Sequence, residues 1–252
     1  MRRSLVYDLP TRVFHWLFAG LFLTAFVIAK TIDDESPIYS WHMLAGLTLS
    51  FVVILRIVWG FLGTQHARFS GFALNPFDLL AYLKGIVSGD KRKWAGHNPA
   101  SSWAAIAMML MALGLGVTGY LMTSGPNKED FEDIHELLAN GFIIVVIMHV
   151  AGIILHTMRF KEMIGLSMVD GKKENIAASD TISSVHNVIG IVLIALVVAF
   201  GLNLFKNYNS QTQSLNLFGT TLQLGENESG DEKSEGLEQS GDAGEKKEDD
   251  DD

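Results

Sequence analysis

Long apolar blocks alternate along the chain with short polar stretches, and five of the blocks are long enough to cross a bilayer as helices. The first spans about residues 10–29 and is entered through Asp8-Leu9-Pro10, with Asp8 or a neighbour as cap and Pro10 in the first turn. A polar loop, KTIDDESP, separates it from the second span, 38–62. The longest internal connection, Gly63 to Ala100, follows, and its Pro76 to Ile86 stretch has the pattern of an amphipathic helix lying at the interface. The third span, 101–122, is rich in Met, Gly and Ala, a composition that suits a packing helix. An acidic loop, Ser124 to Asp133, leads to the fourth span, 134–157, and a fifth lies within 176–206. The pattern predicts an all-α integral membrane protein, with a four-helix domain over residues 1–175, a fifth transmembrane helix, and a largely disordered acidic tail over 207–252.

Charge sharpens the picture. The net charge of −9 misleads, because thirteen acidic and three basic residues from Glu226 onward leave the body near +1. Within the body, twelve basic residues fall on one side of the spans and only Lys30 and Lys128 in the two opposite loops. That bias predicts a cytoplasmic N-terminus and, after five spans, a periplasmic C-terminus in a bacterial inner membrane. Met1-Arg2-Arg3 is followed by SLVYDLP rather than a continuous apolar core, so the N-terminus reads as retained. The chain has no cysteine, which excludes disulfides, iron–sulfur clusters, thiolate zinc sites and covalently attached c-type haem.

Histidine is the residue that carries chemistry. The fourth span holds His135, His149 and His156. Fourteen residues put His135 and His149 on one helix face, roughly 21 Å apart along the axis. A membrane histidine is costly and usually functional, although a lone one can simply hydrogen-bond a neighbouring helix. Two on one face near opposite leaflets suggest a column of two haems. The alternating direction of the spans puts His15 of the first near the cytoplasmic side and His42 of the second near the periplasmic side. Depth therefore pairs His42 with His135, and His15 with His149 or His156. Bis-histidine ligation leaves no open position and favours electron transfer. Arg12 and Arg56 are placed to pair with haem propionates, a role that a phospholipid phosphate would also satisfy. His66, His97 and His186 read mainly as loop or packing residues, with a quinone or proton role as the alternative for the first two.

The stretches YDLPTRVFHW, WHMLAG, RIVWGFLGTQHARF, GHNPASSW and HELLANGFIIVVIMHVAG resemble the bacterial cytochrome b561 and nickel–iron hydrogenase b-subunit family over about the first 170 residues. The resemblance implies two noncovalent b haems, held by residues matching His15, His42, His135 and His149, and it prefers His149 to His156. It does not extend to the acidic tail. The function expected is electron transfer between the quinone pool and a periplasmic partner, either a c-type cytochrome or a hydrogenase-like subunit. The alternatives are a stand-alone superoxide:quinone oxidoreductase and a non-redox histidine-containing transporter. The absence of a carboxylate well inside any span counts against a proton pathway in the last.

Overall fold

The computed structural model describes residues 3–88, 94–124, 128–174 and 176–225. Seven helices appear among them: α1 (Leu9–Thr31), α2 (Ser40–Leu62), α3 (Pro76–Ser88), α4 (Pro99–Ser124), α5 (Lys128–Phe160), α6 (Ser167–Asp170) and α7 (Asn187–Asn207). Five of these, α1, α2, α4, α5 and α7, are long and apolar enough to span a membrane. Their starts follow local rules. Asp8 accepts the Thr11 N–H at 2.8 Å with Pro10 in the first turn of α1, and Asn98 accepts the Ser101 N–H at 2.8 Å ahead of α4.

Three stretches differ from the sequence expectation. The acidic segment expected as a loop before residue 134 is helical from Lys128 onward, since acidic side chains suit the positive end of a helix. Residues 176–186 are irregular, with one turn at Ala178–Asp180, so the fifth span begins only at Asn187. The start of the expected disordered tail is folded: β3 (Tyr208–Asn209), β4 (Ser214–Leu217) and β5 (Thr220–Gln223) form an antiparallel meander. Its alternation turns Leu215, Leu217 and Leu222 inward, where they bury with Leu224 against Leu44 of α2 and Leu204 of α7. The acidic residues from Glu226 lie outside the described residues.

Helix α2 is central, packing on α1, α4 and α7, while α5 packs chiefly along α4. Phe14, Val52, Trp59, Leu193 and Val197 close the α1–α2–α7 side, and Leu49, Val53, Met109 and Phe142 close the other. At the N-terminal end, β1 (Arg3–Leu5) pairs antiparallel with β2 (Lys172–Glu174), and Arg3 meets Asp170 at 2.5 Å. The large side chains left outward on α5, such as Leu137 and Ile147, are what a lipid-facing helix presents.

Candidate functional site

Residues 135, 142, 149 and 156 recur every seven positions, so three histidines and Phe142 form one stripe along α5. The stripe faces α1 and α2 across the bundle. Phe142 is fully buried midway, with its ring 4.1 Å from Phe22 and 5.7 Å from Phe18 of α1. It divides the interior into two levels.

At the first level the rings of His42 and His135 approach to 6.1 Å between centroids, at 69°. Each is turned by a bond through Nδ1. His42 Nδ1 lies 2.9 Å from the Ala25 carbonyl, which can only accept, so the proton sits on Nδ1 and Nε2 keeps its lone pair. His135 Nδ1 lies 2.8 Å from Thr118 Oγ1. The Thr118 hydroxyl donates to the Gly114 carbonyl at 2.9 Å, so it accepts from the imidazole and again leaves Nε2 free. Helix α4 brings Thr118 this close because it has glycine where it meets its neighbours. A Cβ at Gly116 would stand 2.1 Å from Ser50 Oγ of α2.

At the second level His15 has a buried Nδ1 with no hydrogen-bond partner among the described residues. His149 lies within electrostatic reach of it. His156, one heptad further on, has its ring 4.5 Å from Phe160. The structure thus brings His42 together with His135.

Arg56 lies beside this second level. Its Nη2 donates to the Ala67 carbonyl at 2.9 Å, and its guanidinium sits 5.3 Å from the Phe69 ring centre. Its Nη1 is buried without a partner among the described residues, with Asp8 as a neighbouring opposite charge. Arg12 is bound instead to carbonyls, from Nε to Asp8 at 3.4 Å and from Nη1 to Val169 at 2.6 Å.

Outside the spans at this end, His97 is buried between the rings of Tyr7 at 5.5 Å and Phe72 at 4.7 Å. Burial, then the nearby charges of Lys173 and Arg56, push its imidazole down to about 3, so it is neutral at ordinary pH. Lys173 Nζ donates to the Gly96 carbonyl at 2.7 Å and sits 5.1 Å from the Tyr7 ring centre. Burial pushes its ammonium down to about 8, with Glu162 opposing. His66 holds the Asp180 carbonyl at 2.7 Å, and His186 packs edge-on to Trp59 at 5.8 Å. Thr118, Phe142, Tyr7 and Lys173 were not singled out from sequence. Only Phe142 carried a signal, its place in the heptad of histidines.

These residues fit haem. Two imidazoles on one iron, each bonded at about 2.0 Å, put ring centres roughly 6 Å apart. The anchored Nδ1 atoms supply the outer-shell bonds that such ligands need. The unpartnered Arg56 Nη1 suits an anionic propionate. Among the described residues no cluster of three or more His, Cys, Asp or Glu side chains is present to hold a bare ion, whereas a haem iron needs only two axial side chains.

Fold and site together define a multi-pass membrane protein with paired imidazoles inside a helical bundle. The family model for prokaryotic cytochrome b561 matches residues 6–171, and the chain belongs to that family. It is accordingly a membrane b-type cytochrome, a carrier of electrons by means of haem b. It is similar to the probable Ni/Fe-hydrogenase B-type cytochrome subunit of Rhizobium leguminosarum bv. viciae, 25% identical over 210 residues that cover 67% of this chain and 87% of that protein. The probable Ni/Fe-hydrogenase 1 B-type cytochrome subunit of Escherichia coli K12 (26% over 142 residues, 47% of this chain and 60% of that protein) and the probable Ni/Fe-hydrogenase B-type cytochrome subunit of Azotobacter vinelandii (27% over 153 residues, 51% and 63%) are similar over shorter stretches. No solved structure matches the chain.

Proposed function

We propose that the protein is a dihaem cytochrome passing electrons between membrane quinone and a periplasmic redox partner. His42 and His135 hold one haem and His15 and His149 the other, with Arg56 serving a propionate. The bound groups supply reversible one-electron chemistry. The chain orients its imidazoles, keeps water out with Phe142 and its aromatic neighbours, and offers Arg56 as countercharge. The observation that carries this is the His42–His135 approach of 6.1 Å, with both Nδ1 atoms engaged. The partner is a hydrogenase-like subunit, which the names of the relatives support, or a c-type cytochrome. The N-terminus is cytoplasmic and the C-terminus periplasmic in the inner membrane, on the basic-residue bias.

The test is a haem-to-protein ratio with a reduced-minus-oxidised spectrum and a redox titration. Wild type should carry two b haems that a quinol analogue reduces. His42→Ala or His135→Ala should remove one and leave the other, and His15→Ala or His149→Ala the converse. Both haems surviving in His149→Ala would move that ligand to His156, and no b-type absorbance in folded protein would refute the reading.

A further inference from the structure

Asp8 is the only buried carboxylate among the described residues, with none of its surface exposed. Its two oxygens are held by different parts of the chain. Oδ1 accepts the Thr11 N–H at 2.8 Å at the start of α1, and Oδ2 accepts the Thr64 hydroxyl at 2.7 Å from the turn after α2. The Ala67 N–H closes that turn on the Thr64 carbonyl at 2.9 Å, and the Ala67 carbonyl takes the Arg56 Nη2 bond at 2.9 Å. One turn therefore holds Asp8 at its beginning and Arg56 at its end.

The structural work of Asp8 does not need its charge. Asn and Ser cap helices as well as Asp does, and an Asn amide can meet the Thr64 hydroxyl by donating to it. Burying a carboxylate is costly, and among the described residues no salt bridge reaches this one. Arg56 is an opposite charge in its neighbourhood, without an ion pair between them. A charge held away from water and unpaired keeps its field over distances at which a solvated one is screened. Two helical turns separate Asp8 from His15, so both lie on one side of α1, roughly 10 Å apart along the axis. At the first level nothing corresponds. Asp133 and Glu136, the carboxylates nearest His135 in sequence, are exposed.

Reduction adds one negative charge at a haem iron, and a fixed carboxylate nearby opposes it. On the dihaem reading above, on which this step rests, we propose that Asp8 is a tuning charge that lowers the reduction potential of the haem held by His15 and His149. At roughly 10 Å and an effective dielectric constant of about 20, one charge changes that reduction equilibrium about tenfold, or 59 mV for one electron. Arg56 acts in the opposite sense, so the two charges set the second level independently of the first.

The experiment is a spectroelectrochemical titration of full-length, haem-loaded protein in detergent, fitted to two components, with haem content and thermal stability measured alongside. His42→Ala, which keeps the second-level haem on the reading above, identifies the component that belongs to it. Asp8→Asn keeps the cap and loses the charge. It should make the second-level haem about tenfold easier to reduce, a rise of 59 mV, at unchanged haem content, and move the other haem by less than about a third of that. Asp8→Glu keeps the charge and weakens the cap, so it should lower thermal stability and hold the potential near that of wild type. Should Asp8→Asn fail to fold, Asp8→Ser, a smaller neutral cap, takes its place. No rise at the second level, equal rises at both, or a rise in Asp8→Glu as large as in the neutral variant would overturn the proposal and leave Asp8 a structural cap. A single-haem wild type, or a His42→Ala variant with two haems or none, would refute the dihaem reading and this assignment with it.

Discussion

Replacing Thr118 with Val removes one hydroxyl and keeps the shape of the side chain. In the native bundle that hydroxyl accepts from His135 Nδ1 at 2.8 Å and is itself only 6% exposed, so water does not replace it readily. A buried donor left unpaired costs about 1–3 kcal/mol. The Leu115 carbonyl lies near His135 and can take up part of the lost bond. The expected cost therefore sits near the lower end, about 1–2 kcal/mol, or roughly five- to thirtyfold in ligand affinity at one level. Haem transfer to excess apomyoglobin, followed in a stopped-flow spectrometer, reads this directly. One haem should leave Thr118→Val faster while the other keeps its wild-type rate, and Thr118→Ser, which retains the hydroxyl, should restore the first. Equal release of both haems from Thr118→Val and wild type would refute the idea that this hydroxyl orients a ligand.

Three other outcomes follow from the geometry. Phe142→Ala empties a fully buried aromatic site between the two levels and should cost about 3–5 kcal/mol in a denaturant titration; a loss below 1 kcal/mol would mean that Phe18 and Phe22 collapse into the space. The depressed imidazole of His97 stays neutral in the fold down to about 3, while the unfolded state takes up a proton near 6.5, so its stabilising contribution is present above 6.5 and lost as pH falls towards 3. His97→Phe should flatten the fall in stability across that window relative to wild type, and parallel curves would sink the assignment. Truncation after Gly225 removes the acidic tail, and if this polyanion steers a basic periplasmic acceptor, electron transfer should slow at low ionic strength with both haems intact. The difference should fade as salt brings the Debye length to about 10 Å at 0.1 M, and equal rates at low salt would leave the tail with no steering role.

The spans were legible because each apolar block is long, and the levels of the histidines were legible because successive spans alternate in direction. The meeting of His42 with His135 follows from those two facts alone. What was not legible is what turns the rings. Ala25 contributes a carbonyl, which any residue could supply, and Thr118 sits among the small residues of α4 with no pattern to mark it. Lys173 looked like one more solvated charge in a basic loop, whereas pairing of β1 with β2 draws it over Tyr7 and onto the Gly96 carbonyl. Arg12 shared the expectation made for Arg56, but its bonds run to carbonyls that tie α1 to the residues after α5. The meander hid because its strands are short and its leucines few among polar residues.

Those few leucines explain why the meander is ordered at all. A fully buried leucine contributes about 1.5–3 kcal/mol, and Leu215, Leu222 and Leu224 are each 0–1% exposed against α2 and α7. Two-residue and four-residue strands cannot hold alone, so their order depends on the helix ends beneath them. At the opposite end, the Leu9 N–H reaches the Val185 carbonyl at 2.8 Å and the Ile182 N–H reaches Leu5 at 3.0 Å, fastening the approach to α7 onto the chain's beginning. Helix α7 is thus held at both ends as well as along its length by Leu193 and Val197. It acts as a brace on the α1–α2 pair that carries His15 and His42, on the side away from α5. On the proposed pairing, in which each of these histidines meets a partner on α5, a brace there resists separation of the two helices and gives the fifth span a structural part in keeping both levels in register.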